Sequence, residues 1–357
     1  MQAAHTMLRV CLRSSVVSAR RARPLGASYG VAAWSSPATN ALAFSTRAET
    51  TARNAADVRD LLRTQLSMTD AEVDKVERRR PAGARATVEP KLAWLQARLD
   101  LDAAQLRRMI LTIPSLLTKS VQSIESSLDW LQRRLGLDDA GLRKIVLTLP
   151  QLLTLSVEDN IAPKLDWLQD RLDMDAAQLR KMVLKFPQLL GRSIEDKIEP
   201  TLDWLQKRLD LDDAQLKKVV VALPALLGLS VEDNLAPTLE WLQRRLDLDP
   251  AELKKVLLGV PPLLGLSVDN MAPKLAYLEQ EIGLSPAELR DWMVKNPTLL
   301  GRSLANRYRP RLEACRAAGV DVKRVLSYAT QTDETFCKCM GIEPGALVAA
   351  RENVLSV

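Results

Sequence analysis

The residues best placed to do chemistry in this sequence are adjacent pairs of cations. They are Arg107/Arg108, Arg143/Lys144, Arg180/Lys181, Lys217/Lys218 and Lys254/Lys255, with Arg290/Asp291 in the sixth position. Successive pairs lie 36, 37, 37, 37 and 36 residues apart. Cations repeated at a constant interval suit the gripping of a regularly spaced polyanion such as a phosphate backbone. A second basic column runs Arg98, Arg134, Arg171, Arg208 and Arg245 and is lost at Glu281. A sparser third column reads Lys119, Leu155, Arg192, Leu229, Leu266 and Arg302. The densest patch closes the array: Arg302, Arg307, Arg309, Arg311, Arg316, Lys323 and Arg324 face only Glu313 and Asp321, a local excess of +5. The candidate nucleic-acid contacts are therefore Lys119, Arg143, Arg180, Arg192, Lys217, Lys254, Arg302, Arg307, Arg309 and Arg311. The competing reading is a solvated surface matched to helix dipoles, because acids such as Asp212-Asp213 gather at helix starts. That reading explains any one helix better than a pair held at one position through five.

Other chemistries are poorly supplied. The single histidine is His5, inside an N-terminal stretch read below as a leader. A chain that loses it has no His base, His-activated nucleophile or His metal ligand. Cys315, Cys337 and Cys339 are odd in number, and Cys337-Lys338-Cys339 is too small a cluster for a zinc site. No phosphate loop, nucleophile elbow or metal cluster is evident, so neither an enzyme nor a cofactor is expected. No apolar run of about 18 residues is present, so no membrane span is expected.

The 357 residues carry 50 Lys+Arg against 44 Asp+Glu. Residues 1–50 hold Arg9, Arg13, Arg20, Arg21, Arg23 and Arg47 against Glu49 alone, amid Ser, Ala and Thr. That pattern reads as an organelle transit peptide, mitochondrial in preference to plastid because an Arg-bearing helical stretch opens it. The remainder is nearly balanced, with 44 basic and 43 acidic residues. Any nucleic-acid claim must then rest on where the charges lie, not on their total.

The elements that position the cations repeat as well. Trp94, Trp130, Trp167, Trp204, Trp241 and Tyr277 keep the same step, and so do Pro114, Pro150, Pro187, Pro224, Pro261 and Pro297. A further proline column is Pro90, Pro163, Pro200, Pro237, Pro273 and Pro310, with Ser126 replacing it once. Such register over six units predicts a repeat array. In the unit from Ser156 to Arg192, Ser156 caps a helix whose face is Val157, Ile161, Leu165, Leu168 and Leu172, bent or restarted at Pro163. A second helix begins near Asp175 with Leu179, Met182, Val183 and Phe186 inward, and Pro187-Gln-Leu-Leu190 closes it. One pair cannot bury its apolar face alone, so neighbours must stack. The Trp column lies off the leucine stripe. It fits the seam between repeats better than a base-stacking role. The expected fold is an all-α superhelical solenoid of about 37-residue helix pairs with atypical caps. Its expected divisions are a leader (1–50), N-terminal capping helices (51–88), the array (89–309) and a C-terminal cap (310–357).

Stretches such as Ser193-Ile-Glu-Asp-Lys-Ile-Glu-Pro-Thr-Leu-Asp-Trp-Leu-Gln206 and Leu211 to Leu227, with its Pro-x-Leu-Leu turn, resemble repeats of the mitochondrial transcription termination factor (mTERF) family. Arg307-Tyr-Arg-Pro-Arg-Leu312 and the Asp-Glu-Thr-Phe336 tail are similar to that family's C-terminal unit. The resemblance covers roughly residues 55–345. It implies a helical solenoid binding organellar nucleic acid, typically double-stranded DNA, in transcription termination or initiation, RNA splicing or ribosome assembly. A monomer on duplex DNA that regulates organellar expression is the leading expectation. A scaffold for a protein or RNA partner in RNA processing or ribosome assembly is the alternative. A one-base-per-repeat RNA reader needs varied polar side chains, yet Gln96, Gln132, Gln169, Gln206 and Gln243 are constant.

Overall fold

The computed structural model describes residues 57–79 and 85–355. Cα proximity divides the chain into Met1–Thr50 and Thr51–Val357, and every described residue belongs to the second unit. The leader expected over residues 1–50 lies outside the described residues.

Among the described residues the regular elements are helical and no strand occurs. Six helix pairs follow one another, each closed by a short 3₁₀ turn at a Pro-x-Leu-Leu or Pro-Thr-Leu motif. The second helices are Ala103–Thr112, Asp139–Thr148, Ala176–Lys185, Asp213–Ala222, Pro250–Gly259 and Pro286–Lys295. Each starts on a short polar cap whose side chain accepts the third backbone N–H: Asp102, Asp138, Asp175, Asp212, Asp249 and Ser285. Gln or Glu at the third position answers back in five of the six, the reciprocal capping box. Asp138 is the exception, because Gly141 has no side chain to return the bond.

The first helices show what the proline column does. Proline lacks the N–H that an α-helix needs at mid-length. Before Pro163, Pro200, Pro237 and Pro310 the chain takes a single π turn, over Val157–Ile161, Ile194–Ile198, Val231–Leu235 and Leu304–Tyr308. The bond skips five residues there: Ile161 N–H donates to Ser156 O at 3.2 Å and Ile198 N–H to Ser193 O at 3.1 Å. An α-helix then restarts with the proline near its first position. Where Ser126 replaces proline, Val121–Leu135 is one unbroken α-helix. Pro90 and Pro273 also lie within continuous helices, so proline permits the π turn without enforcing it.

Val157, Ile161, Leu165, Leu168 and Leu172 are all buried, as are Leu179, Met182 and Val183 facing them. These join one continuous hydrophobic core from Val58 to Ala350. The five Trp of the repeat column and Tyr277 are partly buried against that core. At the N-terminal end, helices 57–66 and Asp70–Arg79 form an incomplete pair. At the C-terminal end, Ala314 takes the Trp position fully buried, and Arg309–Ala317 packs against the final helix Pro344–Leu355.

Candidate nucleic-acid interface

The basic columns separate by what each side chain touches. Every first helix ends in a left-handed residue: Asp100, Gly136, Asp173, Asp210, Asp247 and Gly283 have φ between 43 and 69°. Glycine enters this region freely, and aspartate tolerates it better than most residues. The next N–H closes the turn by donating back to the helix, as Leu101 does to Gln96 O at 3.0 Å. The first cation of each pair reaches back one repeat to this turn. Arg143 Nη1 meets Asp100 Oδ2 at 2.6 Å, and Arg180 Nη1 donates to Gly136 O at 2.9 Å. Lys217 donates to Asp173 O and Lys254 to Asp210 O. At the array ends Arg107 meets Glu72 and Arg290 meets Glu252, both at 2.6 Å. This column staples each repeat to its predecessor.

The column on the first helices staples forward. Arg98 meets Glu125 and Asp129 at 3.0 and 3.1 Å and donates to Gln132 Oε1 at 3.2 Å. Arg134 repeats the pattern on Asp166 and Gln169, and Arg171 on Asp203 and Gln206. Arg208 donates to Gln243, and Arg245 pairs with Glu279. Four of the five constant glutamines, Gln132, Gln169, Gln206 and Gln243, thus serve as acceptors between repeats.

The second member of each pair is different. Arg108, Lys144, Lys181, Lys218 and Lys255 are exposed, and their charged ends have no hydrogen-bond or ion-pair partner among the described residues. These five cations recur at one repeat position and are unspent.

Of the ten residues expected as phosphate contacts, Arg143, Arg180, Lys217 and Lys254 are therefore committed to the preceding repeat. Lys119 donates to Leu153 O at 3.0 Å. Arg192 is exposed and unpartnered among the described residues. Arg309 is exposed, with its guanidinium 5.6 Å from the Tyr277 ring centroid. Arg311 is only 1% exposed and cannot face a ligand. It donates to Tyr328 O and Asp333 at 2.7 and 2.8 Å and lies 4.3 Å from the Phe336 ring centroid. Arg307 donates to Ala329 O at 3.1 Å and to Gln331 O. The C-terminal patch is partly a knot that ties the cap together, and Asp333 is its anion. Burial works against the Asp333 carboxylate, but hydrogen bonds from Arg311 and Arg351 hold it below its usual range. Arg302 carries no ion pair among the described residues.

Sequence reasoning saw both members of each pair and chose the stapling one. On a helix the two differ by about 100°, and both lie off the leucine stripe. The available signal was an aspartate one repeat upstream, at 100, 173 and 210, placed to receive the first cation.

A buried polar column was not recognised as one, although it ends on Arg311, one of the ten expected contacts. Lys91, Ser127, Lys164, Thr201, Thr238 and Arg311 follow the proline column directly and are all buried, with Lys274 at the same place. Lys91 and Lys164 donate to Leu117 O and Leu190 O at 2.5 and 2.6 Å, capping their own repeat's closing turn. Burial pulls both ammonium groups below the ordinary lysine value.

No helix among the described residues is long and apolar enough to cross a membrane. A search of curated proteins matched none. The sequence profile of the mTERF family matches residues 83–171 and 168–336, which span all six helix pairs. That family is one of nucleic-acid-binding helical-repeat proteins of organelles. The helix pairs, their Pro-x-Leu-Leu turns and the profile agree, and the chain belongs to the mTERF family.

Proposed function

We propose that this protein regulates organellar gene expression by gripping double-stranded DNA, with transcription, including its termination, as the step it acts on. The observation that carries this reading is the exposed, unpaired column Arg108, Lys144, Lys181, Lys218 and Lys255. Five cations at one repeat position offer phosphate contacts at regular intervals. At roughly 10 Å per stacked helix, six repeats span ~60 Å. That matches roughly 18 base pairs, enough duplex to use the whole array. The Arg-rich, acid-poor stretch 1–50 supports a mitochondrial address.

The second reading is a scaffold for a protein or RNA partner in RNA processing or ribosome assembly. The observation favouring it is that the first-helix column and the first cation of each pair are spent within the array, beside a nearly balanced charge outside residues 1–50. Fluorescence anisotropy with labelled duplex DNA, duplex RNA and single strands separates the two. Duplex DNA should bind tightest, with affinity falling steeply as salt rises. Weak, salt-insensitive binding to all three would leave a scaffold for a protein partner, and tighter binding to RNA than to duplex DNA would leave the RNA partner. Crosslinking in organelle extract, then sequencing of the bound nucleic acid, identifies the target.

A further inference from the structure

Arg302, Arg307 and Arg351 line a single open cleft of about 450 Å³, together with Gly301, Ser303 and Asn306. Among the described residues no carboxylate lines it. Asp333 is the one acid in ion-pair contact with this group among the described residues, and it is shared by Arg307, Arg311 and Arg351 at 3.7, 2.8 and 2.8 Å. Four guanidinium groups then stand against one carboxylate. Burial lowers the affinity of Arg307 for its proton, and the charges of Arg311, Arg302 and Arg351 lower it further. The Nε atoms of Arg302, Arg311 and Arg351 are buried without a hydrogen-bond acceptor, three of the five such side-chain atoms found among the described residues. Crowded positive charge and unmet buried donors are costly together, and an anion in the cleft offsets the charge.

We propose that this cleft is a phosphate-binding pocket at the C-terminal end of the array. The planar forks of arginine match tetrahedral oxyanions, and three of them converging select phosphate over chloride. The pocket is separate from the exposed column on the second helices. It stands on its own observations, so it does not need the duplex reading. Two sources carry the same chemistry: a diester of a nucleic-acid backbone, or a free phosphate group.

Arg302 is the residue to test, because Arg307, Arg311 and Arg351 also hold the cap together. Isothermal titration of the full chain with inorganic phosphate, against chloride at matched ionic strength, should show saturable binding. Arg302→Gln should weaken it about tenfold, the value of one charge-assisted contact. Lys75→Gln, on the exposed face of the N-terminal helix Asp70–Arg79, should leave it unchanged. Thermal melts of Arg302→Gln should match the parent, since no ion pair is removed. Titration with a short duplex lacking terminal phosphates then names the source. Displacement of phosphate identifies the backbone diester, and independent binding identifies a free phosphate. Absence of saturable phosphate binding, or an Arg302→Gln chain that binds as the parent does, overturns the pocket even if duplex binding holds. Arg302-dependent phosphate binding without any duplex affinity keeps the pocket and removes the duplex reading.

Discussion

Splitting the basic pairs gives the most discriminating test. One variant carries Lys144→Gln, Lys181→Gln and Lys218→Gln, which removes three exposed cations with no partners among the described residues. The other carries Arg143→Gln, Arg180→Gln and Lys217→Gln, which removes three inter-repeat staples. On the duplex reading each exposed cation neutralises one phosphate. Each then contributes about 0.9 to the slope of log affinity against log salt, so the first variant should flatten that slope by about 2.7. Between about 50 and about 200 mM salt, the parent would lose roughly 40-fold more affinity than this variant. Its melting temperature should be nearly unchanged, because exposed substitutions without contacts rarely exceed about 0.5 kcal/mol. The second variant should do the opposite. Each staple is partly exposed and contributes up to about 1 kcal/mol, so the melting temperature falls while the salt slope holds. Anisotropy titrations across salt and thermal denaturation read both quantities. If the exposed set leaves the slope intact, or the staple set flattens it without lowering stability, the division of roles is refuted.

Three further outcomes follow from the packing. A Cβ on Gly228 would lie 2.7 Å from Phe186 Cζ, whereas one on Gly265 would meet Leu223 at an ordinary 3.4 Å. Gly228→Ala should therefore cost about 1–3 kcal/mol in urea unfolding and Gly265→Ala much less; equal effects would contradict this packing. Asp333→Ala removes the partly exposed carboxylate that pairs with buried Arg311 and should cost about 1.5–3 kcal/mol. Limited proteolysis should then open the C-terminal cap first, and cleavage starting in the middle repeats would argue otherwise. Lys164 binds its proton less tightly when folded than when unfolded, so its burial cost is full below the folded value and is relieved as pH rises toward the ordinary 10.5. The stability of the parent relative to Lys164→Met should therefore increase from about pH 8 to about pH 10. A flat or falling difference in chemical unfolding would refute it.

Much of the architecture was legible because it rests on local rules. Ser156 and Asp175 cap where their side chains and positions say they should, and Pro187 ends the helix before it. The leucine stripe is one face of a 3.6-residue period, and burial follows it residue by residue. A bend or restart at Pro163 was expected, but the π turn that precedes the restart was not. The sequence marks the missing N–H, while neighbours decide whether a π turn or a plain helix absorbs it, as Pro273 illustrates. The buried column from Lys91 to Thr238 was invisible because lysine and threonine ordinarily read as surface.

By itself the sequence determined the repeat, its helix pairs, its caps and the family to which the chain belongs. These depend on spacing along the chain and on the chemistry of single side chains. Tertiary structure decided which cations are free. Arg143 and Lys144 are adjacent and alike in charge, yet one is anchored to Asp100 and the other points to solvent. That difference arises only when one repeat stacks on another and brings together groups some forty residues apart.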